Sequence, residues 1–133
     1  MITHDPLTWP VGDSIWNICH AIALAEGANV PNSNPDRLNN PGDISDFVGV
    51  FGSEYHSGSH ITHFPTKEIG WGHLHWKVNR IIKGMSSTYT SSWSWEKVAK
   101  TWAANWEPWL KTVTEHLGVK SDSTPLDYIK SRS

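Results

Sequence analysis

Glu26 stands at the end of the apolar segment Ile15-Trp16-Asn17-Ile18-Cys19-His20-Ala21-Ile22-Ala23-Leu24-Ala25 and immediately before the helix-stopping Gly27. A carboxylate at a helix C-terminus faces the negative end of the macrodipole, which disfavours its ionised form. The flanking Ala21, Ile22, Ala23 and Ala25 offer neither a cation nor a hydrogen-bond donor, so any burial pushes the same way. A carboxyl group kept protonated near neutral pH is a general acid. The plainer alternative is a solvated side chain at a frayed helix end.

The histidines are the second group whose types and spacing could do chemistry. His56, His60, His63, His73 and His75 crowd one stretch of chain. On a helix, His73 and His75 point about 200° apart, so they do not pinch one ion; His56 with His60 or His63 meets only across a hairpin. With one cysteine and no HExxH pattern, no metal or other cofactor is expected. One or two of these histidines are expected to hydrogen-bond a ligand or Glu26 instead, His63 among them.

Nine tryptophans are more than a core of this size hides completely. Trp16, Trp76 and Trp102 fall on or near apolar helical faces and read as core. Trp93, Trp95, Trp106, Trp109 and Tyr89 fall in connectors and at helix ends, where partly exposed rings suit flat apolar faces such as those of sugars. For any one of them, gap-filling between short helices is the competing reading.

The elements that position these groups follow from pattern and punctuation. Residues 1–12 form an irregular lead-in, and Asp13 or Ser14 caps a first helix running to Glu26. From Ala28 to Gly42 three prolines and five asparagines predict an ordered loop. Two β-favouring runs, Ile44 to Phe51 and Tyr55 to Phe64, predict a small antiparallel hairpin or three-stranded sheet. Thr66 caps a central helix whose apolar face is Ile69, Leu74, Val78, Ile81 and Ile82, ended by Gly84. A helix from Ser94 to about Asn105 follows, then one with Pro108 at its first position reaching His116, and a last short turn from Thr124-Pro125. The class is α+β and mostly α, with the small sheet placed between the first helix and a helical remainder.

A chain of 133 residues is one domain's worth, read as spanning 1–133. A net charge of −2 with interspersed signs argues against a nucleic-acid partner, and no basic amphipathic face suggests a membrane. Protonating all eight histidines would take the charge from −2 to +6, so adhesion to anionic polymers should rise in acid. Cys19 is alone, so no intrachain disulfide forms and it reads as a small buried hydrophobe. The longest apolar run is Ala21 to Ala25, and the N-terminus lacks the regions of a Sec-type signal. The expectation is a soluble monomer of unassigned location.

The order of helix ending in Glu-Gly, loop, small sheet and further helices resembles the lysozyme-like fold of peptidoglycan-cleaving enzymes. The resemblance sharpens at Ala23-Leu24-Ala25-Glu26-Gly27, Arg37-Leu38-Asn39-Asn40-Pro41-Gly42-Asp43-Ile44, Phe64-Pro65-Thr66-Lys67-Glu68-Ile69-Gly70-Trp71 and Leu117-Gly118-Val119. Together these are similar to lysozyme-like proteins of bacteria and their phages in which an "AEG" helix end precedes an "NNPGN" loop. The similarity covers roughly residues 15–128. It implies that Glu26 is the catalytic acid and that the substrate is peptidoglycan or a related N-acetylhexosamine polymer. The position of Asp43 is commonly Asn in that pattern, which implies that a carboxylate there is not obligatory.

Cleaving a β-1,4 glycosidic bond needs a proton for the leaving oxygen and a means of handling an oxocarbenium-like carbon. Glu26 supplies the first. A hydrolase would add a second carboxylate, for which Asp43 is preferred over Asp46, Asp36 and Glu54; an Asx turn is the ordinary role of such an Asp. A lytic transglycosylase would use the muramoyl 6-hydroxyl and Glu26 alone, and the absence of an unambiguous second carboxylate leans that way. A third route is sugar binding without catalysis, as in a phage structural domain on the same fold. Asn39 and Asn40 are expected to shape the site or read N-acetyl and hydroxyl groups, with Tyr89, Trp106 and His63 as further substrate contacts.

Overall fold

The computed structural model describes residues 14–56 and 58–132. The expected lead-in over 1–12 and the capping candidate Asp13 lie outside the described residues. At the centre is α1 (Ser14–Glu26), which buries Trp16, Ile18, Cys19, Ala21, Ile22 and Ala23. A helix so apolar must be covered on several sides. α6 (Trp106–Leu117) packs on it most extensively, α4 (Lys67–Ile82) and α7 (Pro125–Ser131) cover other faces, and α5 (Trp95–Trp102) lies against α6.

α1 ends where its sequence says. Gly27 adopts φ +80°, and the N–H groups of Gly27 and Ala28 donate back to the carbonyls of Leu24 and Ala23 at 3.1 and 2.9 Å. This paired closure is the Schellman arrangement, which makes Glu26 the last residue before the reversal. α4 starts as expected, with the Thr66 hydroxyl accepting from Ile69 N–H at 3.2 Å. Leu74, Val78 and Ile81 form its buried face together with Gly70 and Trp71. Trp76, expected in the core, is 40% exposed, because two residues beyond Leu74 a helix has turned about 200°.

The sheet is a two-stranded hairpin, β1 (Ser53–His56) and β2 (Ser59–Thr62), in antiparallel register from Ser53 opposite Thr62 to His56 opposite Ser59. The strand expected over Ile44 to Phe51 does not form. Residues 48–51 are instead the one-turn helix α3 (Val48–Phe51), entered through Phe47 at φ +67°. Packing explains the difference. The rings of Phe47 and Phe51 both meet His73, at 4.7 and 5.4 Å; residues four apart lie about 6 Å apart on a helical turn but about 13 Å apart along a strand.

Two further expectations are corrected. The loop after Gly27 contains a short helix, α2 (Asn34–Arg37), whose first turn is capped by the Ser33 hydroxyl accepting from Asp36 N–H at 3.3 Å. α6 begins at Trp106, so Pro108 is its third residue rather than its first, still within the turn where helical N–H groups have no partner. Among the described residues no helix is long and apolar enough to cross a membrane.

Candidate active site

The Schellman closure leaves the Glu26 side chain projecting from the end of α1 into an open groove of about 460 Å³. Asp43 and Ser45 of the loop, His56 and Ile61 of the hairpin, and Trp102 and Trp109 of the α5–α6 junction line it as well. One Glu26 oxygen, Oε2, accepts the Trp109 indole N–H at 2.8 Å. Trp109 is only 2% exposed, so the donor is fixed by the core rather than by solvent.

Burial raises the Glu26 pKa to about 8, helped by the negative charge of Asp43 and opposed by the Trp109 hydrogen bond. Burial and the helix dipole are local to α1, whereas the like charge comes from Asp43, 17 residues on. Two carboxyls facing one groove hinder each other's ionisation, so the charge of one strengthens the other's hold on its proton.

Asp43 occupies the left-handed region at φ +52°, which Asp tolerates. Its N–H donates to Asn40 O at 3.0 Å, while its Oδ1 is buried without a protein partner. Burial raises its pKa, and the nearby His56 pulls it down. The other carboxylates considered are already engaged. Asp36 takes Lys67 Nζ at 2.9 Å and Asn32 N–H at 3.0 Å, and these bonds hold its carboxyl below the usual range. Glu54 takes Arg37 at 3.1 Å and His56 at 3.0 Å and is likewise depressed. Asp46 is ion-paired to Lys77 at 2.6 Å.

The expected substrate contacts do not gather in this groove. Asn40 is fully buried: its amide donates to Ile44 O at 2.8 Å and Thr62 O at 2.9 Å, and its Oδ1 accepts Ile44 N–H at 3.0 Å. With its polar atoms engaged in this way, Asn40 shapes the loop beneath the site and presents no amide to a ligand. Asn39 donates to Phe64 O at 3.0 Å and lines a separate cavity of about 300 Å³ with His20, Pro35 and Trp71. His63 is exposed and lines neither space. Trp106 is half-buried beneath Lys100, whose Nζ lies 4.8 Å from its ring centroid. Tyr89 is buried against Trp102, with ring centroids 5.6 Å apart, and burial and the charges of Asp46 and Glu26 push its phenol well above the ordinary value.

Trp109, expected as a sugar-stacking ring, lines the groove but is buried, and Trp102, expected in the core, is half-buried and lines the groove while donating to Gly42 O at 3.0 Å. The four-residue spacing of Trp109 and Val113 is the signal that puts Trp109 on the inner face of α6. His56, one of the histidines expected to meet a ligand or Glu26 or to pair across the hairpin, lines the groove and bonds Glu54 at 3.0 Å. Among the described residues no group of three or more His, Cys, Asp or Glu is placed to hold a metal ion.

Comparison with protein-family models, with curated proteins and with solved structures finds no match to this chain.

Proposed function

We propose that this chain cleaves β-1,4 glycosidic bonds in the glycan strand of peptidoglycan, with Glu26 as general acid. The observation that carries the reading is a carboxyl raised to about 8, so protonated at neutral pH, in an open groove whose lining also includes a second carboxyl. Glu26 protonates the leaving oxygen, and Trp109 fixes the orientation of the carboxyl through Oε2, leaving Oε1 to face the substrate. Asp43, with a buried oxygen free of protein partners, stabilises the developing positive charge or orients a water. Its place in the same groove favours hydrolysis over the route that uses Glu26 alone. No metal or organic cofactor enters the reaction.

Glu26→Gln tests the proposal. The amide retains an acceptor for Trp109 but carries no acidic proton, so release of soluble fragments from purified cell walls should fall by roughly 10²- to 10⁴-fold while the fold is kept. Undiminished release by this variant overturns the assignment. Mass spectrometry of the products separates the two routes: reducing ends follow from hydrolysis, 1,6-anhydro ends from transglycosylation.

The aromatic bank of Trp102 and Trp109 also favours a second reading, a glycan-binding or virion structural domain without catalysis. That reading predicts saturable binding of chitooligosaccharides by the wild-type chain and intact walls at every pH from 4 to 8.

A further inference from the structure

Behind Trp102 lies a second, smaller hollow of about 120 Å³ in which two cations, Lys77 and Arg80, meet the hydroxyl-bearing turn Ser86–Thr88, with Asp46 and Tyr89 closing the sides. Its charges are unevenly matched. Lys77 is neutralised by Asp46 at 2.6 Å, and its Nζ also lies 5.1 Å from the Trp102 ring centroid. Arg80 has no carboxylate within ion-pair distance among the described residues. Its guanidinium rests 5.1 Å from the Trp76 ring centroid and donates one hydrogen bond, to Met85 O at 2.7 Å, leaving donors of its five unspent. Ser86 Oγ already accepts the N–H groups of Thr88 and Tyr89 at 3.2 and 3.0 Å, so its own hydrogen is free to donate.

The hollow and the groove are lined by different residues that neighbour one another in sequence and in ring contact. Asp43 and Ser45 face the groove while Asp46 faces the hollow, so three residues of chain, at most about 10 Å, carry one bank into the other. Tyr89 belongs to the hollow and stacks obliquely on Trp102, which belongs to the groove. At about 120 Å³ the hollow is far smaller than the groove, with room for a small anionic group and its hydration but not for a run of sugars.

We infer that the Arg80–Ser86 hollow is an anion subsite of the groove that receives a carboxylate carried by the glycan, from the lactyl ether of an N-acetylmuramoyl unit or the peptide joined to it. This rests on the peptidoglycan reading of the groove and deepens it by assigning residues that would bind the strand's acidic substituents. A guanidinium without a carboxylate partner gives such a group charge-assisted hydrogen bonds, and the Trp76 face keeps the fork in plane to offer two at once.

The test is binding, so that it stands whether or not the chain cleaves. The wild-type chain and Arg80→Gln are titrated with N-acetylglucosamine, N-acetylmuramic acid and N-acetylmuramoyl dipeptide, followed by the arginine Nε–H and tryptophan indole N–H resonances. N-acetylmuramic acid should bind the wild type roughly tenfold more tightly than N-acetylglucosamine, shifting the Arg80 and Trp76 signals, and Arg80→Gln should erase that preference. If the preference arises only with the dipeptide and is lost in Arg80→Gln, the stem carboxylate is the occupant. Equal affinity for the neutral and acidic sugars overturns the subsite, as does a preference that survives Arg80→Gln. Either result leaves the Glu26 assignment standing on its own cleavage test.

Discussion

The indole N–H of Trp109 donates to Glu26 Oε2 at 2.8 Å, joining the C-terminal residue of α1 to the first turn of α6 across 83 positions of sequence. The contact does two opposed things. It fixes the carboxyl where the groove opens, and it favours the charged form that burial and Asp43 disfavour. The structure thus holds the acid in place at some cost to its proton affinity, and burial outweighs the hydrogen bond, leaving the group near 8.

Trp109→Phe removes the donor and keeps most of the ring. Without the hydrogen bond the charged form loses support, so the Glu26 pKa should rise further above about 8. A general acid works in its protonated state, so the alkaline limb of the cleavage profile should move to higher pH as the carboxyl loses its orientation and the maximum rate falls. A profile of kcat/KM from pH 5 to 10 checks both, and an alkaline limb that stays put or moves down contradicts the role given to Trp109.

The same shift predicts a stability gain. In the unfolded chain Glu26 ionises near 4.5 and in the folded chain near 8, so between these values the folded state holds the extra proton. Stability attributable to this group is therefore fully present below about 4.5 and is lost as pH rises through 8. Glu26→Gln cannot ionise and should melt higher than wild type at pH 8, with an advantage of a few kcal/mol at most that shrinks towards pH 5. Denaturant melts at the two pH values measure it.

On the acid side the controlling group is His20, which meets His116 edge to face at 4.8 Å between α1 and α6. Burial and the charge of His116 both lower its pKa. A histidine depressed in the folded state takes up its proton more readily when unfolded, so stability should fall as pH drops below about 6.5. His20→Phe keeps a ring against His116 and should flatten that loss in melts from pH 7 to 4.

Asp43→Asn tests the partner carboxyl. Asn accepts the φ of +52° as well as Asp does, so the loop should persist. Removing the negative charge takes away the second cause of the raised Glu26 pKa, so the alkaline limb should move down. If Asp43 also stabilises charge during cleavage, kcat falls by roughly 10²-fold or more; a shifted limb with unchanged kcat would confine it to tuning Glu26.

How far the sequence reached depends on whether the cause was local. Gly27 after an apolar run, Thr66 before α4 and the Thr124-Pro125 start of α7 are punctuation read within a few residues, and each element lies where that punctuation puts it. The run 44–51 was misread because its valines and phenylalanines favour a strand locally, while the shared contact of Phe47 and Phe51 with His73 comes from a helix some 25 residues away. The site divides in the same manner. Glu26 is legible because the helix end and its apolar neighbours are contiguous, whereas Trp109 and the engagement of Asp36, Asp46 and Glu54 are set by tertiary partners that a linear reading does not pair.

The floor beneath the site depends on two residues that touch no ligand. Asn40 binds the Ile44 backbone at both its N–H and its carbonyl and reaches Thr62 O as well, and a Cβ at Gly70 would sit 1.7 Å from Asn39 O. Asn40→Ala strands the buried Ile44 N–H and Thr62 O, although Ile44 O keeps its bond from Thr62 N–H at 3.1 Å. The expected cost is roughly 3 kcal/mol. Gly70→Ala drives a methyl into backbone and should cost at least as much, because α4 must retreat from the loop and Gly42 already abuts Leu74. Since both changes move the loop that carries Asp43, each should lower the pKa of Glu26 as well as the melting temperature. A variant that melts early yet keeps the wild-type alkaline limb would show that the floor holds up the fold without positioning the carboxyl pair.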